Sequence, residues 1–252
     1  GQLQVQELQA IAHGANTVQF FQLKQSIGAQ EKCHGAVIAH SEKTDTRVIQ
    51  EVKLLGETLE QLSPELLQAK KQNKIAIVFD WSNLWAVNYV AGISKDLDYL
   101  ATVLNYYHAL YDLHVAVDVI GTDDDFSQYQ FVIAPMLYMV KADLGEKINT
   151  FVENGGKLVT SFFSGLVNET DNVYLGGYPG PLKKATGIWV EESDAILPDK
   201  SVKIQFTDGQ ATAGNLLCDL IHLEGASPLA QYTSEFYQGT PAITKNVFGK
   251  GI

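Results

Sequence analysis

The chain has 252 residues, 46 % of them hydrophobic and 19 % charged, and a formal net charge of −11. This is the composition of an ordinary globular protein rather than a disordered or fibrous one, with a length that suits one large domain or two modest ones. Its acid excess, with no run of Lys or Arg, argues against a nucleic-acid partner, and its longest apolar runs are too short to cross a bilayer.

The stretch GQLQVQELQAIAHGA opens on Gly rather than Met and already carries Leu3, Leu8 and Ile11 at helical spacing. Residues 3–13 are therefore expected to form an amphipathic helix closed by Gly14, which accepts left-handed backbone. Thr17 to Leu23 is rich in β-branched and aromatic residues and free of breakers, and reads as a strand. After a polar loop, Thr46 to Leu62 places Val48, Val52, Leu55, Leu59 and Leu62 at the spacing of a helix that buries one face. Such a β/α piece cannot enclose a core by itself. In a β/α barrel it would be the closing segment, and the loop after its strand would lie on the carboxyl-end face where barrels carry active sites.

Ser63-Pro64 and the polar QAKKQN stretch break this pattern, so residues 63–73 read as a linker to a second domain over 74–252. There Lys74 to Phe79 is a buried parallel-type strand, and Leu97 to Leu113 a helix with Leu97, Leu100, Leu104, Tyr107 and Tyr111 on one face. Val115 to Ile120 and Phe131 to Ala134 are further strands, Ala142 to Asn154 is a helix ended by Gly155-Gly156, and Lys157 to Phe162 is a fourth strand. Apolar strands in the order β-α-β-β-α-β predict an α/β fold with a doubly wound, flavodoxin-like sheet. Beyond Gly176 the chain turns to Gly/Pro-rich turns and short strand candidates such as Val202 to Phe206. Phe248 to Ile252 reads as a turn feeding another strand, and with the non-Met start this gives the expectation of an internal fragment.

Chemistry concentrates in the loop after the first strand. Glu31 and His34, three residues apart, can hydrogen-bond several hydroxyls of one sugar or act as acid and base; equally, Glu31 can be a solvated acid and His34 a turn cap. The two cysteines, Cys33 and Cys218, match neither a disulfide framework nor a zinc site, which fits a reducing, cytoplasmic setting. No Gly-rich phosphate loop follows a strand, so no nucleotide is expected. The turn after the fourth strand reads Phe162-Phe163-Ser164-Gly165, with neither Cys nor GxSxG, which makes Ser164 a weak nucleophile candidate for an amidotransferase-like hydrolase. His108, His114 and His222 have no visible Asp or Cys partner. Trp81 and Trp85, in a predicted loop from Asp80 to Trp85, are candidates for a contact surface.

The run HGANTVQFFQLKQSIGAQEKCHGAVIAH, followed by TRVIQEV, resembles the end of the catalytic barrel of glycoside hydrolase family 42 β-galactosidases, whose members carry a similar FFQ-RQS-GG-EKFHGA stretch at the eighth strand. The resemblance spans roughly residues 5–55, and the α/β segment that follows matches in kind the family's class I amidotransferase-like trimerisation domain. It implies that Glu31 and His34 contact galactose in the −1 subsite and that Phe21 lies near the same sugar, offering a flat apolar face to its C–H side. Phe20 reads as barrel core. Cys33 stands where many members have Phe and Ala29 where many have a second Gly, both at positions expected to pack.

A retaining glycosidase needs two carboxyl groups about 5 Å apart. The resemblance places both on earlier barrel strands, so no catalytic residue is assigned in this chain. The expectation is a piece of a cytoplasmic β-galactosidase that hydrolyses terminal β-D-galactosides with retention. It would supply sugar contacts and a homotrimer-forming domain, be inactive alone, and need no cofactor or metal. The alternatives are a non-catalytic assembly or binding module and, more weakly, the amidotransferase-like hydrolase.

Overall fold

A computed structural model describes residues 1–70 and 72–252, and divides into two compact units, Gly1–Gln72 and Asn73–Ile252. In the first unit, α1 (Gln2–Ala12) ends as its sequence predicts. Ala15 N donates to Ala10 O and Gly14 N to Ile11 O, both at 3.0 Å, with Gly14 at φ +107°, so the last carbonyls of the helix are satisfied by a left-handed turn. α2 (Arg47–Leu66) starts at Thr46, whose side chain accepts from Ile49 N, and buries Leu55.

Two expectations fail here. Among the described residues Thr17 to Leu23 joins no ladder and bends at Phe21 and Leu23; beside it stands a single parallel bridge between Lys24 and Ile38. A strand exists through its neighbours, and among the described residues 17–21 have no backbone partner, while only the Gln22 and Leu23 carbonyls take N–H groups, from Val37 and Ile38. Ser63-Pro64 does not end the helix, which continues to Leu66. Pro64 sits in the final turn, where its missing N–H removes only the bond to the Glu60 carbonyl. The helix therefore takes up residues 63–66 of the segment expected as a linker, and of that segment Lys71 lies outside the described residues.

The second unit opens with β1 (Ile75–Val78), α3 (Trp81–Tyr89), α4 (Tyr99–Asp112), β2 (Asp118–Ile120), β3 (Phe131–Ala134), α5 (Ala142–Glu153) and β4 (Lys157–Thr160). The four strands form a parallel sheet in the order β2-β1-β3-β4, the doubly wound arrangement predicted. Successive strand residues point to opposite faces. Ala76, Val78, Val132 and Ala134 meet Leu144, Ile148 and Val152 of α5, while Ile77 and Ile133 meet Ala86 and Val87 of α3 and Tyr99 and Val103 of α4. Both faces are covered, which is why the strands read as continuous apolar runs.

α3 was expected to be loop. Asp80 is its N-cap, with Oδ2 accepting from Asn83 N at 3.2 Å, and the apolar run behind it is the helix that such a cap announces. Asn83 is fully buried and bonds the β3–α5 connection twice, donating to Met136 O at 3.0 Å and accepting from Met139 N at 2.8 Å. On α4 the core takes Tyr99, Val103, Tyr106 and Leu110, whereas Leu100, Leu104 and Tyr111 of the predicted face are exposed.

After β4 come β5 (Ile188–Ala195), β6 (Val202–Phe206), β7 (Ala211–Gly214), β8 (Leu217–Leu223), β9 (Ser227–Tyr232) and β10 (Pro241–Lys245). β5 pairs with β8, and the others form an antiparallel sheet in the order β10-β9-β6-β7 around Val202, Ile204, Ala230 and Tyr232. Among the described residues no helix is long and apolar enough to cross a membrane, and no cluster of His, Cys, Asp or Glu is placed to hold a metal.

Candidate functional site

The Lys24–Ile38 bridge closes the loop over residues 25–37. Ile38 N donates to Leu23 O at 2.8 Å, Gln25 N to Ile38 O at 3.0 Å, and Val37 N to Gln22 O at 3.0 Å. Inside it, Gln30–Cys33 form a 3-10 turn that carries Glu31, with His34 next in line, and His34 N donates to Glu31 O at 2.9 Å.

Gln25 holds this turn. Its Nε2 donates to Lys32 O at 3.1 Å and to His34 O at 2.8 Å, and its Oε1 accepts from His40 N at 3.0 Å. His40 adds a second tie: its Nε2 lies 2.8 Å from Ser26 O, and since a carbonyl only accepts, Nε2 carries the proton. The single Ser26 hydroxyl proton is offered to Gln22 Oε1 at 3.1 Å and to the Glu31 carboxylate at 3.4 Å, with the nearer acceptor favoured. Gln22 Nε2 is buried and has no acceptor among the described residues.

Glu31 and His34 are thus presented by one braced turn, and both are exposed. Among the described residues no hydrogen bond joins their side chains, so the geometry is that of two separate polar contacts rather than a coupled acid–base pair. Phe21 is 74 % exposed and so offers an open aromatic face; Phe20, expected in the core, is 36 % exposed. Ala29 does not pack as expected. It is exposed and sits at φ +52°, ψ −158°, a backbone region that suits Gly, so its Cβ is tolerated there rather than needed. Cys33 is likewise exposed. Gln22, Gln25, Ser26 and His40 were not singled out from the sequence.

In the second unit the Phe162-Phe163-Ser164-Gly165 turn is sharp, with Phe163 at φ +57°, but Ser164 is buried and engaged. Its Oγ accepts from Leu137 N at 3.0 Å and lies 3.0 Å from Thr160 Oγ1, which reaches Ala134 O at 3.1 Å. These bonds fasten the β4 end to the loop after β3. Nearby, a cavity of about 560 Å³ is lined by Ser164, Tyr178, Cys218 and Asp219, among other residues. Ser193 Oγ donates to Asp219 Oδ1 at 2.5 Å, so its own oxygen receives the Tyr178 O–H at 2.6 Å. Burial pushes the Asp219 carboxyl above the usual carboxylate range, against the lowering effect of the Ser193 hydroxyl. His222, for which no partner was foreseen, stacks on Trp189 with centroids 4.2 Å apart and pairs with Glu191 at 2.6 Å across β5 and β8.

Residues 73–252 match the family model for the β-galactosidase trimerisation domain, and residues 1–62 match that for β-galactosidase. The chain is 56 % identical over 251 residues to the β-galactosidase LacZ of Lactobacillus acidophilus, covering 100 % of this chain and 38 % of that protein. It superposes on the crystal structure of β-galactosidase from Bacillus circulans sp. alkalophilus with a TM-score of 0.93 at 46 % identity, covering 99 % of this chain and 38 % of that one. A catalytic mutant of Gan42B, a GH42 β-galactosidase from G. stearothermophilus, gives a TM-score of 0.91 at 35 % identity, covering 98 % and 36 %. The chain therefore spans well under half the length of these relatives.

Proposed function

Since this chain belongs to the glycoside hydrolase family 42 β-galactosidases, we propose that it is part of an enzyme that removes terminal non-reducing β-D-galactose residues from β-D-galactosides with retention. In that enzyme the loop over residues 25–37 holds the sugar. Glu31 accepts from hydroxyls, His34 donates or accepts beside it, and the Phe21 ring packs against the sugar's C–H face. The nucleophile and the acid/base carboxyl come from sequence outside these 252 residues, so the chain alone does not turn over a galactoside.

The observation that carries this reading is the brace around the turn. Gln25 fixes the backbone between Glu31 and His34, at the Lys32 and His34 carbonyls, while leaving both side chains exposed, as a preformed polar contact requires. Residues 73–252 then serve to assemble a homotrimer, in line with the family model they match. A cytoplasmic setting suits the two free thiols, Cys33 and Cys218.

The test is made in the intact enzyme. Glu31→Ala and His34→Ala should each lower kcat/KM for a nitrophenyl β-galactoside by about tenfold to a hundredfold, the equivalent of losing a hydrogen bond to a charged group at ~1.5–3 kcal/mol. Unchanged kcat/KM in both variants would overturn the assignment.

A further inference from the structure

α3 and α4 each carry a second apolar stripe that faces away from the sheet they cover. On α3 it is Trp81, Trp85 and Tyr89, spaced four apart and 61 %, 65 % and 84 % exposed. On α4 it is Leu100, Leu104 and Tyr111, 45 %, 41 % and 62 % exposed. The two helices pack on the same face of the sheet and contact each other, so the stripes belong to one surface.

Three features set this surface apart from a solvated one. First, the only residue of α3 and α4 with a full charge is Asp112, whereas α5, on the opposite face of the same sheet, carries Asp143, Glu146, Lys147 and Glu153. Loss of charged residues at the centre of a patch is what distinguishes interfaces from ordinary surface, and a helix apolar on every side is one that ends up covered. Second, the two tryptophans rest on aromatic neighbours. Trp81 meets Phe79 edge-on at 5.1 Å and Trp85 at 6.3 Å, contacts that lower the side-chain entropy to be lost on docking. Third, the area is large enough. Aromatic side chains present roughly 150–250 Å² each. At these exposures the four aromatics leave on the order of 500–600 Å² uncovered, and the leucines bring the total to roughly 700 Å². That exceeds the largest patch of most monomers, about 300–600 Å², and approaches the ~800 Å² per partner of a stable interface.

We infer that the outer face of α3 and α4 is the surface on which a second copy of this chain docks, an inference that rests on the homotrimer reading above. In a closed three-fold ring every contact is the same heterologous one, in which a patch of one subunit meets a different patch of the next. Removing the α3–α4 face therefore opens all three contacts together and yields monomers, with no stable dimer on the way.

Sedimentation velocity of the intact enzyme tests this. The wild type should sediment as a trimer, the Trp85→Glu/Leu104→Glu double variant as a monomer with its dissociation concentration raised by about 100-fold or more, and Glu146→Lys on α5 as a trimer. A double variant that stays trimeric at wild-type concentrations would overturn the inference and leave the homotrimer reading intact. A wild type that is never a trimer would overturn both. Hydrogen exchange of the wild type on dilution needs no variant to fold: amides of residues 81–112 should lose protection as the trimer dissociates, and unchanged protection across dissociation counts against the face.

Discussion

Gln25 and His34 are joined across the loop, the Gln25 amide donating to the His34 carbonyl at 2.8 Å, nine residues further along the chain. Because Gln25 also holds Lys32 O and receives His40 N, one side chain sets the geometry of the turn that presents Glu31. Its replacement by Leu keeps the volume and removes all three bonds.

All three partners lie near the surface and can turn to water, so Gln25→Leu should cost stability by no more than about 1 kcal/mol. The effect should fall on substrate instead. In the intact enzyme kcat/KM for a nitrophenyl β-galactoside is expected to drop about tenfold with an almost unchanged Tm, since a turn no longer braced offers Glu31 and His34 over many orientations. An unaltered kcat/KM would show that the brace has no part in binding.

Ala29 stands at φ +52° immediately before the turn. A Cβ in that region costs about 1 kcal/mol or more, and Gly relieves it while adding back some unfolded-state entropy. Ala29→Gly is accordingly expected to be neutral to stabilising, by up to about 1 kcal/mol in urea unfolding, whereas Ala29→Val should destabilise by more than that. A stabilising Val would contradict the backbone assignment.

Asp219 gives a pH dependence whose sign can be worked out. Its carboxyl is raised in the folded protein by burial, so between the ordinary carboxylate range and the raised value the native state holds a proton that the unfolded chain has released. Stability must fall as pH rises through that window. Asp219→Asn cannot ionise and keeps an oxygen to receive the Ser193 hydroxyl. Urea unfolding at a series of pH values should show the variant gaining on the wild type as pH rises through the window and holding its advantage above it. Parallel curves for the two proteins would place the proton elsewhere.

The sequence made the parallel sheet legible because KIAIVF and FVIA are apolar throughout, as strands covered on both faces must be. It hid α3, since Asp80 followed by Trp-Ser-Asn resembles a turn until the cap is recognised, and it left the β5–β10 region as scattered turns because short antiparallel strands carry little periodicity of their own. On α4 two apolar stripes overlap, at Tyr99-Val103-Tyr106-Leu110 and at Leu100-Leu104-Tyr107-Tyr111, and spacing alone cannot tell which one meets the sheet. In the site, Glu31 and His34 stood out as a carboxylate and an imidazole three residues apart in one loop, and Phe21 through family resemblance. Gln25 did not, because its role depends on carbonyls seven and nine residues away that only the folded loop brings within reach.

The Lys24–Ile38 bridge gives the loop a narrow neck. A protease cut anywhere between residues 25 and 37 would leave both new ends hanging from the same neck, with Leu23, Ile38, Gln22 and Val37 still paired. Nicking would therefore untie the turn without parting the chain on either side of it, and recognition could be lost from a molecule that still runs as one piece until it is denatured.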